Sequence, residues 1–376
     1  MTSTDHPESR KSAPMRVVFA PDSFKGSINA IELADALAAG WAAVRPRDEL
    51  VLLPQADGGE GTLDAIASCH PHVTWHSVSG VRGPDGRRTT GRWLRLDDGT
   101  AVVELAQMSG LPLMNALDAG GASTTGLGQV IAAALDAGAK SLLIGLGGSA
   151  STDGGAGALR ALGARLLDRH GRDIGDGGAA LSELDTIDVA GLRVLPPGGV
   201  ELLSDTTAVL CGSHGAAHVF GPQKGADPQL RVLLDGALQR FADRLGAVTA
   251  VRPDQPGAGA AGGTGFGLAA WGGRLVPGSA RIADLTGLSD EFGRADVIVT
   301  GEGRFDETSL TGKLVGSVLA RCADTNTRSV VVAGQLAATP PDASISLTAL
   351  AGSAENAIAE TERWARHAGT AAAEIF

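Results

Sequence analysis

Residues Gly145 to Gly157 read GLGGSASTDGGAG and follow the apolar run SLLI. Glycine lets backbone N–H groups approach an anion with no side chain in the way, so this stretch can form a nest for phosphate or carboxylate. Ser149, Ser151 and Thr152 add hydroxyl donors, and Asp153 offers a carboxylate to a cation or a hydroxyl. The plainer alternative is a glycine-rich entry into a helix.

Four further loops carry residues of the same kind. APDSFKGS (Ala20 to Ser27) ends an apolar run and opens a helical one, so Lys25 and nearby amides at a positive helix end could meet phosphate; equally, Asp22 or Ser27 could merely cap the helix. QADGGEGT (Gln55 to Thr62) sets Asp57 and Glu60 around two glycines, which suits Mg2+, a general base or a capped turn. FGPQKGA (Phe220 to Ala226) presents Lys224 between glycines. TGEGRFDETSLTGK (Thr300 to Lys313) interleaves Glu302, Asp306, Arg304 and Lys313 as a metal-nucleotide site requires, or as a surface ion-pair cluster does.

These loops need elements to hold them. MRVVFA reads as a strand and SINAIELADALAAGWAAV as a helix with Ser27 as N-cap; ELVLLP and LDAIASC repeat the strand-then-helix order. That opening predicts βαβα logic and a parallel sheet, in which ligands bind at the strands' carboxyl ends. After Pro71 the segments VTWHSVSG, TGRWLRL and TAVVEL are short and alternating, separated by turn residues, and predict antiparallel strands. Helix and strand then alternate through TGLGQVIAAALDAGA, SLLIG, GAGALRALGARLL, VELLS and PQLRVLLDGALQRFADRL. DVIVT, a polar loop, LVGSVLARCA and RSVVVAG return to the style of the opening. The expectation is an α/β protein of two domains: residues 15–72 and 291–376 form one from both chain ends, and 73–290 form an inserted mixed α/β domain. Residues 1–14 are expected to be a disordered leader.

Composition narrows the function further. A chain of 376 residues is long for one core. Its net charge of -11 argues against a general nucleic-acid or acidic-membrane surface. Three scattered cysteines in no CxxC pair fit a reducing cytoplasm, and no apolar run approaches a membrane span. GAGAAG (Gly257 to Gly262) satisfies a dinucleotide fingerprint, but VRPDQP precedes it where a strand is required. HGAAH spaces His214 and His218 by four without the glutamate of a zinc-protease helix. GxxxxGK[ST] is absent, as are the protein-kinase HRD and DFG motifs.

Together, APDSFKGS, QADGGEGT, GLGGSASTDGGAGALRALG, FGPQKGA, GAGAAGG and TGEGRFDETSLTGK, in this order, resemble the glycerate kinase family of the bacterial glycerate 2-kinase type. The resemblance runs from about Met15 to the C-terminal helix. It implies ATP-dependent, Mg2+-assisted phosphorylation of D-glycerate to 2-phosphoglycerate. It also implies a flavodoxin-like parallel-sheet domain with an inserted second α/β domain and an active site in the cleft. The positions that carry over are Asp22, Ser23, Lys25, Asp57, Glu60, Ser149, Asp153, Lys224, Glu302, Asp306 and Lys313. In roles consistent with phosphoryl transfer, Lys25 and Lys224 neutralise phosphate or the substrate carboxylate, and a nest from Gly147 and Gly148 through Ser149 to Asp153 holds phosphate. Asp57, with Glu302 or Asp306, binds Mg2+ or takes the hydroxyl proton.

One departure stands out. Relatives usually carry Asp-Val-x-Asn-Pro-Leu where this chain reads SDTTAVLCG, which keeps Asp205 at a substrate-binding position but places Ala208 and Val209 at the Asn-Pro positions. Two rival readings follow from the same loops: a GHMP-type kinase, whose proline ahead of the glycine-serine loop is missing here, and a glycerate sensor without turnover. Attack by the 2-hydroxyl or the 3-hydroxyl is left open by the residues alone.

Overall fold

A computed structural model of the chain describes residues 13–310 and 313–376. The expected leader over 1–14 therefore lies, apart from Ala13 and Pro14, outside the described residues. Thirteen strands are found among those described. β1 (Arg16–Phe19) and β2 (Glu49–Leu52) come first. β3 (Thr74–Arg82), β4 (Arg88–Arg95), β5 (Thr100–Glu104) and β6 (Ser141–Gly145) follow. Next are β7 (Arg165–Leu167), β8 (Thr186–Asp188), β9 (Val200–Leu203) and β10 (Arg274–Val276). β11 (Val297–Phe305), β12 (Arg328–Leu336) and β13 (Ala343–Ser346) are the last. The helices needed below are α1 (Ala30–Val44), α2 (Thr62–Cys69), α3 (Ala106–Ser109), α4 (Thr125–Asp136), α5 (Ala156–Ala161), α6 (Ala216–Phe220) and α7 (Pro228–Gly246).

Two compact units result. Among the described residues, one comprises 13–54, 287–310 and 315–376, and the other 55–286 with 313–314. The expected boundary near residue 72 thus falls at Gln55 and the later one at Gly287. The physical reason is α2: Leu63 and Ile66 on it pack with Leu94, Val102, Leu143 and Leu203 of the second unit's sheet.

The first unit holds an all-parallel sheet in the order β13-β12-β11-β1-β2. Counted within the unit and from its other edge, this is the doubly wound order 2-1-3-4-5, whose topological switch point falls between β1 and β11. Val17 and Phe19 share a core with Leu33, Leu37 and Trp41 of α1 and with Ala365 and Ala368 of the C-terminal helix Thr361–Glu374. Asn29, not Ser27, caps α1: its side chain accepts from Glu32 N at 2.9 Å. β11 also runs past the expected DVIVT to Phe305, pairing Glu302 with Ala333 and Arg304 with Gln335 of β12, so these two charged residues stand on a strand.

The second unit is built on a six-stranded mixed sheet, β10-β9-β6-β5-β4-β3. β3, β4 and β5 are antiparallel as expected, while β5, β6, β9 and β10 are parallel. Alternation of side chains splits each central strand between two cores. Val103, Ile144 and Leu202 join Leu127, Phe241 and Phe266 on one face; Val102, Leu143 and Leu203 join α2 and Ile282 on the other. The stretch GAGALRALGARLL, expected to be one helix, divides into α5 and β7, because Gly163 has φ 113° and a Cβ there would lie 2.1 Å from the Gly191 carbonyl oxygen. No described helix is long and apolar enough to cross a membrane.

Candidate active site

In the first unit the APDSFKGS loop leaves β1 at the switch point and continues its pairing with β11. Ala20 N donates to Val299 O at 2.8 Å and Asp22 N to Gly301 O at 2.9 Å, which sets Asp22 and Ser23 beside the strand that carries Glu302. The Asp22 carboxylate accepts from Ser23 N at 2.7 Å. Asp22, Ser23 and Glu302 are half-buried and Lys25 is exposed. Asp306 follows β11 and opens a short turn: its Oδ1 accepts from Thr308 N (2.9 Å) and Thr308 Oγ1 (2.6 Å). Lys313, which groups with the second unit, is exposed one residue ahead of the helix Leu314–Thr325.

The second unit brings together the ends of three parallel strands. Glu104, Gly145 and Leu203 are the last residues of β5, β6 and β9, and the segment 55–61 lies against them. Gly147 N donates to Gly58 O at 3.0 Å, and a Cβ on Gly147 would sit 2.4 Å from Gly59 Cα. Two backbones touch here, so glycine is required at Gly147 whatever ligand it serves. Asp57 is half-buried, with Oδ1 accepting from Gly59 N at 2.9 Å. Asp205, past the end of β9, accepts from Ser279 N at 3.1 and 3.2 Å through its two oxygens. Burial pushes the Asp205 carboxyl above its ordinary range, and the negative charge of Asp57 adds to the shift. The two acids thus feel one another, an arrangement suited to accepting a proton or attracting a cation. Glu60 stands on the exposed side of the same loop.

Beneath the glycine loop lies Lys224, only 2% exposed, at the end of the turn Pro222–Lys224. Its Nζ donates to Ser149 Oγ at 3.1 Å and to the Ser151 carbonyl at 2.5 Å. Burial lowers its pKa to about 7, with the charge of Asp153 opposing the shift. Lys224 therefore grips the loop from inside, where the sequence suggested a cation open to an incoming anion. Asp153 is likewise turned inward. Fully buried, it accepts from Thr124 N (2.9 Å), Thr124 Oγ1 (2.8 Å), Gly155 N (3.1 Å) and Gly157 N (3.1 Å). These bonds tie the starts of α4 and α5 together, so Asp153 shapes the loop and does not extend from it as the free carboxylate first expected. The hydroxyls of Ser109, Ser151 and Thr152 are buried with no hydrogen-bond partner among the described residues.

The motif GAGAAGG, which resembles a dinucleotide loop only in its spacing, forms a floor for the glycine loop. Gly154 N donates to Gly262 O at 3.0 Å, and a Cβ on Gly262 would lie 2.1 Å from the Ser151 carbonyl oxygen. Ala208 and Val209 are half-buried and rest on Gly259, whose N donates to Ala208 O at 2.9 Å.

Sequence reasoning missed Glu104. It is fully buried, with a carboxylate that accepts from Leu63 N at 3.0 Å and Gln107 Nε2 at 3.1 Å. Burial raises its pKa to about 7, against the lowering effect of these bonds and of the Gly61 amide. The available signal was an acid in the otherwise apolar strand segment TAVVEL.

Comparison with known proteins gives a consistent result. The model of the glycerate kinase family matches residues 17–376. A glycerate 2-kinase of Escherichia coli (strain K12) is 40% identical over 306 residues, covering 80% of either chain. A glycerate kinase of Bacillus subtilis (strain 168) is 42% identical over 305 residues, 80% of this chain and 79% of that one. A crystal structure from Salmonella typhimurium LT2, of a protein proposed to be glycerate kinase 2, superimposes with a TM-score of 0.80 at 36% identity. It covers 96% of this chain and 98% of that one.

Proposed function

Because the chain belongs to the glycerate kinase family, we propose that it transfers the γ-phosphoryl group of ATP to the 2-hydroxyl of D-glycerate, releasing 2-phosphoglycerate and ADP. The observation that carries this reading is the set of strand ends in the second unit, where the Asp57 and Asp205 pair adjoins a glycine loop gripped by a buried lysine. The choice of the 2-hydroxyl leans on the name of the Escherichia coli relative.

Phosphoryl transfer asks the protein for positioned charge and for a proton acceptor near the attacking hydroxyl. Asp57 is the proposed acceptor: the Gly59 amide fixes one of its oxygens, and Asp205 beside it is held back from ionising by burial. Gly147, Gly148 and Ser149 are proposed to bind the anionic end of a ligand through amides and a hydroxyl. Lys224 and Asp153 would hold that loop in shape from within. Asp22, Ser23 and Lys25 of the first unit are proposed to handle phosphate oxygens, and so is Lys313; Glu60 is kept as a further contact for substrate.

The donors fit Mg2+ of the kind that travels with a nucleotide. Among the described residues no three His, Cys, Asp or Glu side chains gather into a cage, and Mg2+ commonly needs only one or two carboxylates besides water and phosphate oxygens. Glu302 and Asp306 are the proposed ligands, with Asp306 Oδ1 already oriented by Thr308; Asp57 and Asp205 are a second pair whose repulsion a cation would relieve. When bound, the ion would neutralise charge on the phosphates.

ADP release tests the reading against a sensor that binds without turnover. With ATP and Mg2+ present, release should depend on added D-glycerate, and Asp57→Asn should lower kcat by about 1,000-fold. Release that ignores D-glycerate would overturn the proposal.

A further inference from the structure

α2 begins without a capping side chain of its own. Its N-cap is Gly61, in the left-handed region at φ 89°, which offers no side-chain acceptor to the helix's first amides. Glu104, at the end of β5 and 41 positions beyond Leu63, fills that role. Its Oε2 accepts from Leu63 N at 3.0 Å, the Gly61 amide also donates to the carboxylate, and Gln107 on α3 holds Oε1 at 3.1 Å. A negative charge at a helix N-terminus is favoured by the helix dipole, yet this one is fully buried and carries a desolvation cost. A serine or aspartate at position 61 could cap the helix without burying a carboxylate. What Gly61 permits, and a residue with a side chain resists, is the left-handed turn that joins α2 to the Asp57 loop. That loop lies so close to the strand ends that a Cβ on Gly58 would come within 2.9 Å of the Leu203 carbonyl oxygen, and one on Gly145 within 2.4 Å of the Gly58 carbonyl oxygen.

We propose that Glu104 is a positioning residue, which caps α2 from β5 and thereby sets the Asp57 loop against the ends of β6 and β9. The inference rests on the reading that the Asp57 loop belongs to the active site. Glu104 acts through Gly61 and Leu63, on the far side of the loop's exit turn from Asp57. The charged groups around it are Asp64 in the first turn of α2, which opposes its ionisation, and Arg92 of β4, 4.0 Å from Asp64 and 3.5 Å from Gln107 Oε1. Its pKa near 7 means that the cap gains its full negative charge only above neutrality. Turnover should therefore fall as the pH drops through about 7.

The test compares Glu104→Ala and Glu104→Gln with the parent and with Asp57→Asn in the full chain. Hydrogen exchange reads the cap without reference to activity: in Glu104→Ala, protection of the Leu63 amide should fall by about tenfold or more while that of Thr124 and Gly157, held by Asp153, is unchanged. Turnover should fall by roughly 10- to 100-fold in Glu104→Ala. Glu104→Gln, neutral like the protonated carboxyl and still an acceptor, should hold turnover at about the parent's low-pH level across the range, above that of Glu104→Ala, and so lose the pH dependence near 7. Unchanged Leu63 protection, or a pH profile in Glu104→Gln identical to the parent's, would overturn the proposal. If Leu63 protection falls but Asp57→Asn turns over normally, the cap stands and the assignment of the Asp57 loop to the active site fails.

Discussion

Lys224 spends its charge inside the protein, on the Ser149 hydroxyl and the Ser151 carbonyl, and this has a consequence for stability. Its folded pKa of about 7 lies below the unfolded value near 10.5, so between these pH values the folded chain binds fewer protons than the unfolded one. The cost of burying the amine is therefore fully felt below about pH 7 and is relieved as pH rises through that window. Lys224→Met should flatten this slope in urea melts at pH 6, 7.5 and 9, and should lower kcat by about 100-fold through the loosened loop. A slope unchanged from the parent would contradict the burial argument. The types of the residues proposed for the site are legible in the sequence, but the directions in which they point are not. Asp57, Ser149 and Asp205 fall at the strand ends of the second unit. Lys224 and Asp153, expected to face a ligand, are instead buried in hydrogen bonds, because Ser149 and Ser151 for the lysine and Thr124 for the aspartate come from segments that no local pattern connects to them.

Elements are legible in the sequence where periodicity runs long and illegible where backbone contact decides. α1, α4 and α7 follow their apolar spacing, and β1, β6 and β12 their apolar runs. The break between α5 and β7 depends on Gly163 meeting Gly191, a contact invisible in the local sequence. The glycine loop shows the same logic. Gly147→Ala places a methyl 2.4 Å from Gly59 Cα, and should cost about 1–3 kcal/mol with loss of turnover, since the Asp57 loop must move away. Gly171→Ala is the control: φ is 74° there but nothing lies within 4 Å, so it should cost about 1 kcal/mol and leave kcat unchanged. Equal effects on kcat would remove the special role of the Gly147 contact.

At the scale of the whole molecule, the α/β class and the contribution of both chain ends to one parallel sheet were legible from the return of the strand, loop and helix style after Asp296. The unit boundary was not, because α2 follows a strand of one sheet and packs on another. The proposed activity is phosphorylation of D-glycerate at the 2-hydroxyl. The measurement that tests this most directly supplies the purified protein with ATP, Mg2+, D-glycerate and enolase, omitting phosphoglycerate mutase, and follows phosphoenolpyruvate. Its appearance is the predicted result, since enolase acts on the 2-phosphate alone. Continued absence of phosphoenolpyruvate, with enolase active on added 2-phosphoglycerate, would contradict the claim.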